Sequence, residues 1–124
     1  MKALRIGVFA IVVLFLIFSG VFAADVEKGK VLFNDPKFAN GTAGKSCNSC
    51  HPGGKGLEKA GEKREFKIMG KTQNSLEEAV NFCIENANKG KAIDPKSDQM
   101  KDIVVYIKSL AKKPTEAPSK KPGY

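Results

Sequence analysis

The chain of 124 residues has one histidine, His51, and only three cysteines, Cys47, Cys50 and Cys83. A single histidine excludes any site built on two imidazoles. This Cys and His supply also falls short of what a closed zinc site needs at its usual spacing. An odd cysteine count excludes a complete disulfide framework. Arginine is confined to Arg5 and Arg64, too few for an arginine-rich pocket around an anionic substrate. No stretch alternates apolar and polar residues for long enough to predict a sheet, which leaves an all-α fold. Methionine is missing from residues 70–99, an absence that matters below.

Long apolar runs are equally scarce, the exception being Ile6–Phe18. Lys2 and Arg5 precede it, and Ser19–Ala23 follows with Val21 and Ala23 at the two selective positions. This is the anatomy of a secretory signal peptide over residues 1–23, with a mature start near Ala24. An uncleaved anchor is the alternative, since the run is only just short of a bilayer span. Either way the remainder is expected to work outside the cytoplasm, in the periplasm or an equivalent compartment.

Residues 24–124 are enough for one small domain. The leader holds two positive charges and no acid, so the net charge falls from +8 to +6 without it. Such a balance suits an acidic protein partner or an anionic membrane surface, or simply solubility. Nucleic acid is excluded as a partner by the expected compartment.

Three amphipathic segments stand out. "DVEKGKVLFND", residues 25–35, places Val26, Gly29 and Phe33 on one face. A Pro/Asn/Gly-rich loop then leads to Cys47, and the Gly- and Lys-rich stretch after His51 reads as loop with one weak helical turn. Ser75 with Glu78 forms a capping box for "LEEAVNFCIENA", whose Leu76, Val80, Cys83 and Ala87 share a face, so Cys83 points inward. Ser97 caps the last helix, with Met100, Ile103, Val104, Ile107 and Leu110 as its stripe. Pro114 ends it, so the domain spans 24–113, and residues 114–124 are expected to be a disordered tail.

The chemistry sits in "CNSCH", residues 47–51. C-x-x-C-H is the attachment site of c-type haem. Two thiols three residues apart on a helical turn can each add to one vinyl group, and the next histidine is then held under the iron as proximal ligand. A redox dithiol would want a βαβ setting, which the pattern lacks. One covalent haem c on Cys47, Cys50 and His51 is therefore expected, and a buried cofactor suits a domain of this size without cross-links.

"DVEKGKVLF", "CNSCHPGGKGL" and "SDQMKDIVVYIKSL" resemble the small mono-haem cytochromes c across nearly all of the mature chain. The resemblance implies a compact helical fold around one covalent haem, with first and last helices crossing near Gly29, Phe33 and Tyr106, and electron transfer as the activity. Most members of that family supply a methionine as second iron ligand from the loop before the last helix. Here that stretch has none; Met100 lies in the first turn of the last helix on its core face, and Met69 lies nearer the haem motif. Cys83 falls where the ligand is expected. It is read as the distal ligand, with Met100 and then Met69 as alternatives; a small buried hydrophobe or an intermolecular disulfide is the bland reading.

The stretch from Cys83 to Met100 is also similar to thiosulfate dehydrogenase-type haem domains, in which a cysteine before a Gly-Lys loop and a Ser-x-x-Met supplies an iron ligand. Size and layout resemble the heterodimeric His/Cys-ligated cytochromes of anaerobic ammonium oxidisers, the NaxLS type. That resemblance implies a related partner subunit, or a second copy of the chain, and a low potential. Three activities follow as expectations: low-potential electron transfer, binding or sensing of NO or CO, and service as haem subunit of a sulfur-oxidising enzyme. The first two are favoured over catalysis.

Overall fold

A computed structural model describes residues 23–112. The expected leader, apart from its last residue, and the expected tail lie outside the described residues. Among those described are four α-helices: α1 (Val26–Asn34), α2 (Cys47–Cys50), α3 (Leu76–Asn86) and α4 (Asp98–Ser109). Each of the long helices begins where a side chain can satisfy its free amides. Asp25 accepts from the Glu27 and Lys28 amides, Ser75 from that of Glu78, and Ser97 from that of Met100. The capping box at α3 is displaced by one residue: the Glu78 carboxylate reaches back to the amide of Asn74, at 2.8 Å, rather than to Ser75. No described helix is long and apolar enough to cross a membrane.

α1 and α4 cross at Gly29, with Phe33 meeting the Tyr106 ring edge-on at a centroid distance of 5.1 Å. The crossing depends on glycine. A Cβ at position 29 would lie 2.7 Å from both the Asp102 carbonyl carbon and Tyr106 Cβ, inside the Asp102 carbonyl oxygen's contact sphere. The same junction is tied by Asp102, largely buried, whose carboxylate accepts the Asp25 amide at 2.7 Å. The α4 stripe read from the sequence, Met100 to Leu110, is buried throughout and forms the core with Phe33, Phe38, Leu76, Val80 and Ile84.

One element departs from the all-helical expectation. β1 (Phe66–Ile68) and β2 (Lys71–Gln73) pair antiparallel, with Phe66 opposite Gln73 and Ile68 opposite Lys71. The two-residue turn is Met69–Gly70, and both residues have positive φ, 50° and 77°. That is the turn type whose twist matches a hairpin. Strands of three residues are too short to show a period, and Met-Gly lacks the Asn-Gly or Asp-Gly signal, so this stretch reads as loop. Short 3-10 turns lie at Phe38–Asn40, Pro52–Gly54, Ala60–Glu62 and Leu110–Lys112, and loops make up the rest of the described residues. The hairpin has a role in the site: it brings Phe66 against the core beside the cavity described next.

Candidate haem site

The turn bearing Cys47 and Cys50 is built by its own side chains. Ser46 accepts the Ser49 amide at 3.3 Å while the Ser49 hydroxyl accepts the Ser46 amide at 3.0 Å. The His51 amide closes the turn onto the Cys47 carbonyl at 2.9 Å. Asn48 then accepts the Gly53 amide at 2.8 Å, holding the chain in the 3-10 turn that follows. Gly54 in this turn has φ +84°, and a Cβ there would come within 2.6 Å of Leu110 Cδ2. A residue other than glycine would therefore push the turn off the end of α4.

This scaffold orients His51. Its Nδ1 lies 3.1 Å from the Lys55 carbonyl oxygen. A carbonyl only accepts, so Nδ1 carries the proton and Nε2 keeps its lone pair free for a metal.

His51, Cys47, Cys50 and Cys83 all line one cavity of about 110 Å³ that is partly open to solvent. Phe33 of α1, Phe66 of the hairpin and Ile107 of α4 contribute apolar walls. Leu76, Val80, Cys83 and Ala87, the α3 face read from the sequence, all line it as well. Cys83 is half-buried there rather than deep in the core, since the fully covered positions of α3 are Leu76, Ala79, Val80 and Ile84.

Cys47 and Cys83 are partly buried, and Cys50 is exposed. Burial, with the nearby Cys83 and Cys50 adding to it, pushes the Cys47 thiol from its ordinary 9.0 up to about 11. Burial and then Cys50 raise that of Cys83. Without a cation facing them, Cys47 and Cys83 therefore stay protonated at neutral pH. Neither methionine joins them. Met100 is 0% exposed in the core and Met69 is 79% exposed at the hairpin tip; neither lines the cavity. The sequence motif and the cavity wall thus bring Cys47, Cys50, His51 and Cys83 together and leave Met69 and Met100 apart.

Residues 28–114 match the family model of the SoxA/TsdA cytochrome c domain. The chain belongs to that family. No curated protein and no solved structure gives a match. A cytochrome c domain is an electron-transfer haem protein, and covalently bound haem c is its cofactor. Domains of this kind are typically extracytoplasmic. The residues of the cavity fit such a group: an apolar slot, two thiols on one turn, and an imidazole whose tautomer leaves a metal-binding nitrogen. The lining also carries one lysine, Lys45.

Two participants are not legible in the sequence. The Lys55 carbonyl that orients His51 is a backbone group, which carries no residue signature. Asn88, buried just past α3 and lining the cavity, shows in the sequence only as a helix-ending residue. Its partners Pro36 and Lys45 lie more than forty residues away.

Proposed function

We propose that this protein is an exported, low-potential electron carrier. Cys47 and Cys50 would hold its haem c as thioethers, and His51 and Cys83 would bind the iron. The observation that supports it is the company Cys83 keeps: it lines the cavity with both motif cysteines and His51, whereas Met100 is sealed in the core and Met69 is at an exposed turn. Bound haem supplies a one-electron iron couple. The residues do the tuning. Nδ1–H donation from His51 to Lys55 fixes the ring and raises the basicity of Nε2. The Cys83 thiol, raised by burial, is deprotonated once a cation faces it. The resulting thiolate places negative charge beside the iron and favours its oxidised state, where a methionine would raise the potential.

The +6 balance of the chain without its leader supports an acidic redox partner. The NaxLS resemblance supports a related cytochrome subunit, or a second copy, as a stable companion. Absorption and EPR spectra of the ferric haem protein test the ligand set. A thiolate-type low-spin signal that Cys83→Ala abolishes is expected. A methionine-type spectrum indifferent to that substitution would refute it and return the choice to Met100 or Met69.

A second reading, binding of NO or CO, is favoured by the half-buried setting of Cys83 and by the cavity's opening to solvent. A distal ligand so placed can be displaced without unpacking the core. Reduced protein whose spectrum is unchanged by CO would count against it. Service in a sulfur-oxidising enzyme keeps the support of the family match, but the described arginine, Arg64, is exposed and does not line the cavity.

A further inference from the structure

We infer that Asn88 is a positioning residue that fixes Cys83 relative to the Cys47–His51 turn. The inference rests on the proposed role of Cys83 as distal ligand and concerns what holds that ligand at its station.

The two sides of the cavity come from distant parts of the chain, and Asn88 makes most of the hydrogen bonds between them, beside those from the Lys91 amide to the Ala39 carbonyl, at 2.8 Å, and from Thr42 Oγ1 to the Lys89 carbonyl, at 3.2 Å. The Cys83 carbonyl accepts the amides of Ala87, at 2.9 Å, and of Asn88, at 3.3 Å. The Asn88 side chain then reaches across: its amide nitrogen donates to the Pro36 carbonyl at 3.1 Å, and its oxygen accepts the Lys45 amide at 3.3 Å. Its own carbonyl accepts the amides of Thr42 and Ala43, at 2.9 and 3.0 Å. Lys45 is two residues before Cys47, and Ser46 between them caps α2. A continuous path of bonds therefore runs from the backbone of Cys83 to the start of the attachment turn.

Several observations make this more than a loop anchor. Asn88 is 8% exposed, and it lines the cavity together with Lys45 and Ser46. The loop is moulded to it: a Cβ on Gly41 would lie 2.7 Å from Asn88 Oδ1 and closer still to its other amide atoms. Asparagine is the side chain that offers one donor and one acceptor at this length, and both are used. Deleting them takes the partners from the Lys45 amide and the Pro36 carbonyl, both in part-buried bonds, and frees the loop to shift. A shift there changes the gap that a distal ligand has to span.

The test uses the haem-loaded full chain as wild type, Asn88→Ala, Asn88→Asp and Cys83→Ala. Ferric protein is titrated with imidazole, which competes for the distal position, and thermal unfolding is followed in parallel. Asn88→Ala is expected to bind imidazole about tenfold more tightly, in line with second-shell losses, and to broaden the thiolate EPR signal. Asn88→Asp, which keeps the acceptor for Lys45 but sets an oxygen against Pro36, is expected to move the same way. A lower unfolding temperature with unchanged imidazole affinity and EPR would overturn the inference and make Asn88 an ordinary structural residue. Should Asn88→Ala not fold, Gly41→Ala presses on the intact amide and is expected to shift the same two readouts; no shift there overturns the inference equally. If Cys83→Ala leaves the spectrum as in wild type, the ligand assignment falls and this inference with it. If Cys83→Ala abolishes the thiolate signal while the Asn88 variants are unmoved, only the role of Asn88 falls.

Discussion

Gly29→Ala is the sharpest test of how the fold holds the site. In an isolated helix the change would stabilise by about 1 kcal/mol. Here the new methyl would meet the Asp102 backbone and Tyr106 Cβ at 2.7 Å, and both belong to the last helix rather than to a mobile side-chain end. α1 and α4 must therefore separate, which as overpacking costs about 1–3 kcal/mol. Separation also strains the 2.7 Å bond from the Asp25 amide to the Asp102 carboxylate, a charge-assisted contact worth about 1.5–3 kcal/mol. The Phe33–Tyr106 edge contact adds about 0.5–1.5 kcal/mol at risk. Partial loss of each, set against the helical gain, gives a net destabilisation of about 3 kcal/mol. For a domain of this size that is a fall of roughly 10–20 °C in Tm. Thermal unfolding of the haem-loaded chain, followed by circular dichroism, measures it. A Tm equal to or above wild type would refute the close crossing, and with it the placement of Phe33 and Ile107 as facing walls.

Met100→Ala should destabilise by about 2–5 kcal/mol through the cavity it leaves, yet leave the ferric spectrum of the folded protein unchanged; a lost ligand band would make Met100 an iron ligand. Met69→Ala, at the exposed hairpin tip, should stay within about 0.5 kcal/mol of wild type by urea unfolding. Asn81→Ala removes both bonds to the Ile93 backbone, each 2.9 Å, so hydrogen exchange at the Ile93 amide should quicken by tenfold or more, corresponding to ~1.4 kcal/mol. In folded chain lacking haem, Cys47 ionises near pH 11 rather than 9.0. At pH 9 its thiolate should then be about fiftyfold scarcer than that of an ordinary cysteine, with protection present below pH 9 and lost as pH rises through 11. Alkylation followed by mass spectrometry reads this, and a rate equal to that of an unfolded control would refute the burial of Cys47.

The helices were legible because their signals are local. Ser75 and Ser97 announce their helices by residue type, and the periodic stripes of α3 and α4 point to the cavity and the core as their spacing demands. The crossing at Gly29 was reached only through resemblance, since nothing in "EKGKV" names the partner helix. The hairpin was missed because three-residue strands carry no usable period and Met69 adopts a left-handed backbone that methionine rarely signals. Glu78 was placed correctly but bonds Asn74, a one-residue slip set by how the chain enters α3 from β2. Asn88 and the Lys55 carbonyl could not be read at all, because their meaning lies in partners that only the folded chain supplies.

The clasp between α1 and α4 also sets an order of events in time. Synthesis delivers α1 first and α4 last, with more than seventy residues between Asp25 and Asp102. Until the final helix arrives, Phe33 has no Tyr106 to meet and the cavity lacks the wall that Ile107 provides. The attachment turn, complete by His51 and capped by its own serines, can form well before that. The chain thus passes through an interval in which its two attachment thiols are presented on a finished turn while the slot around them is still unroofed.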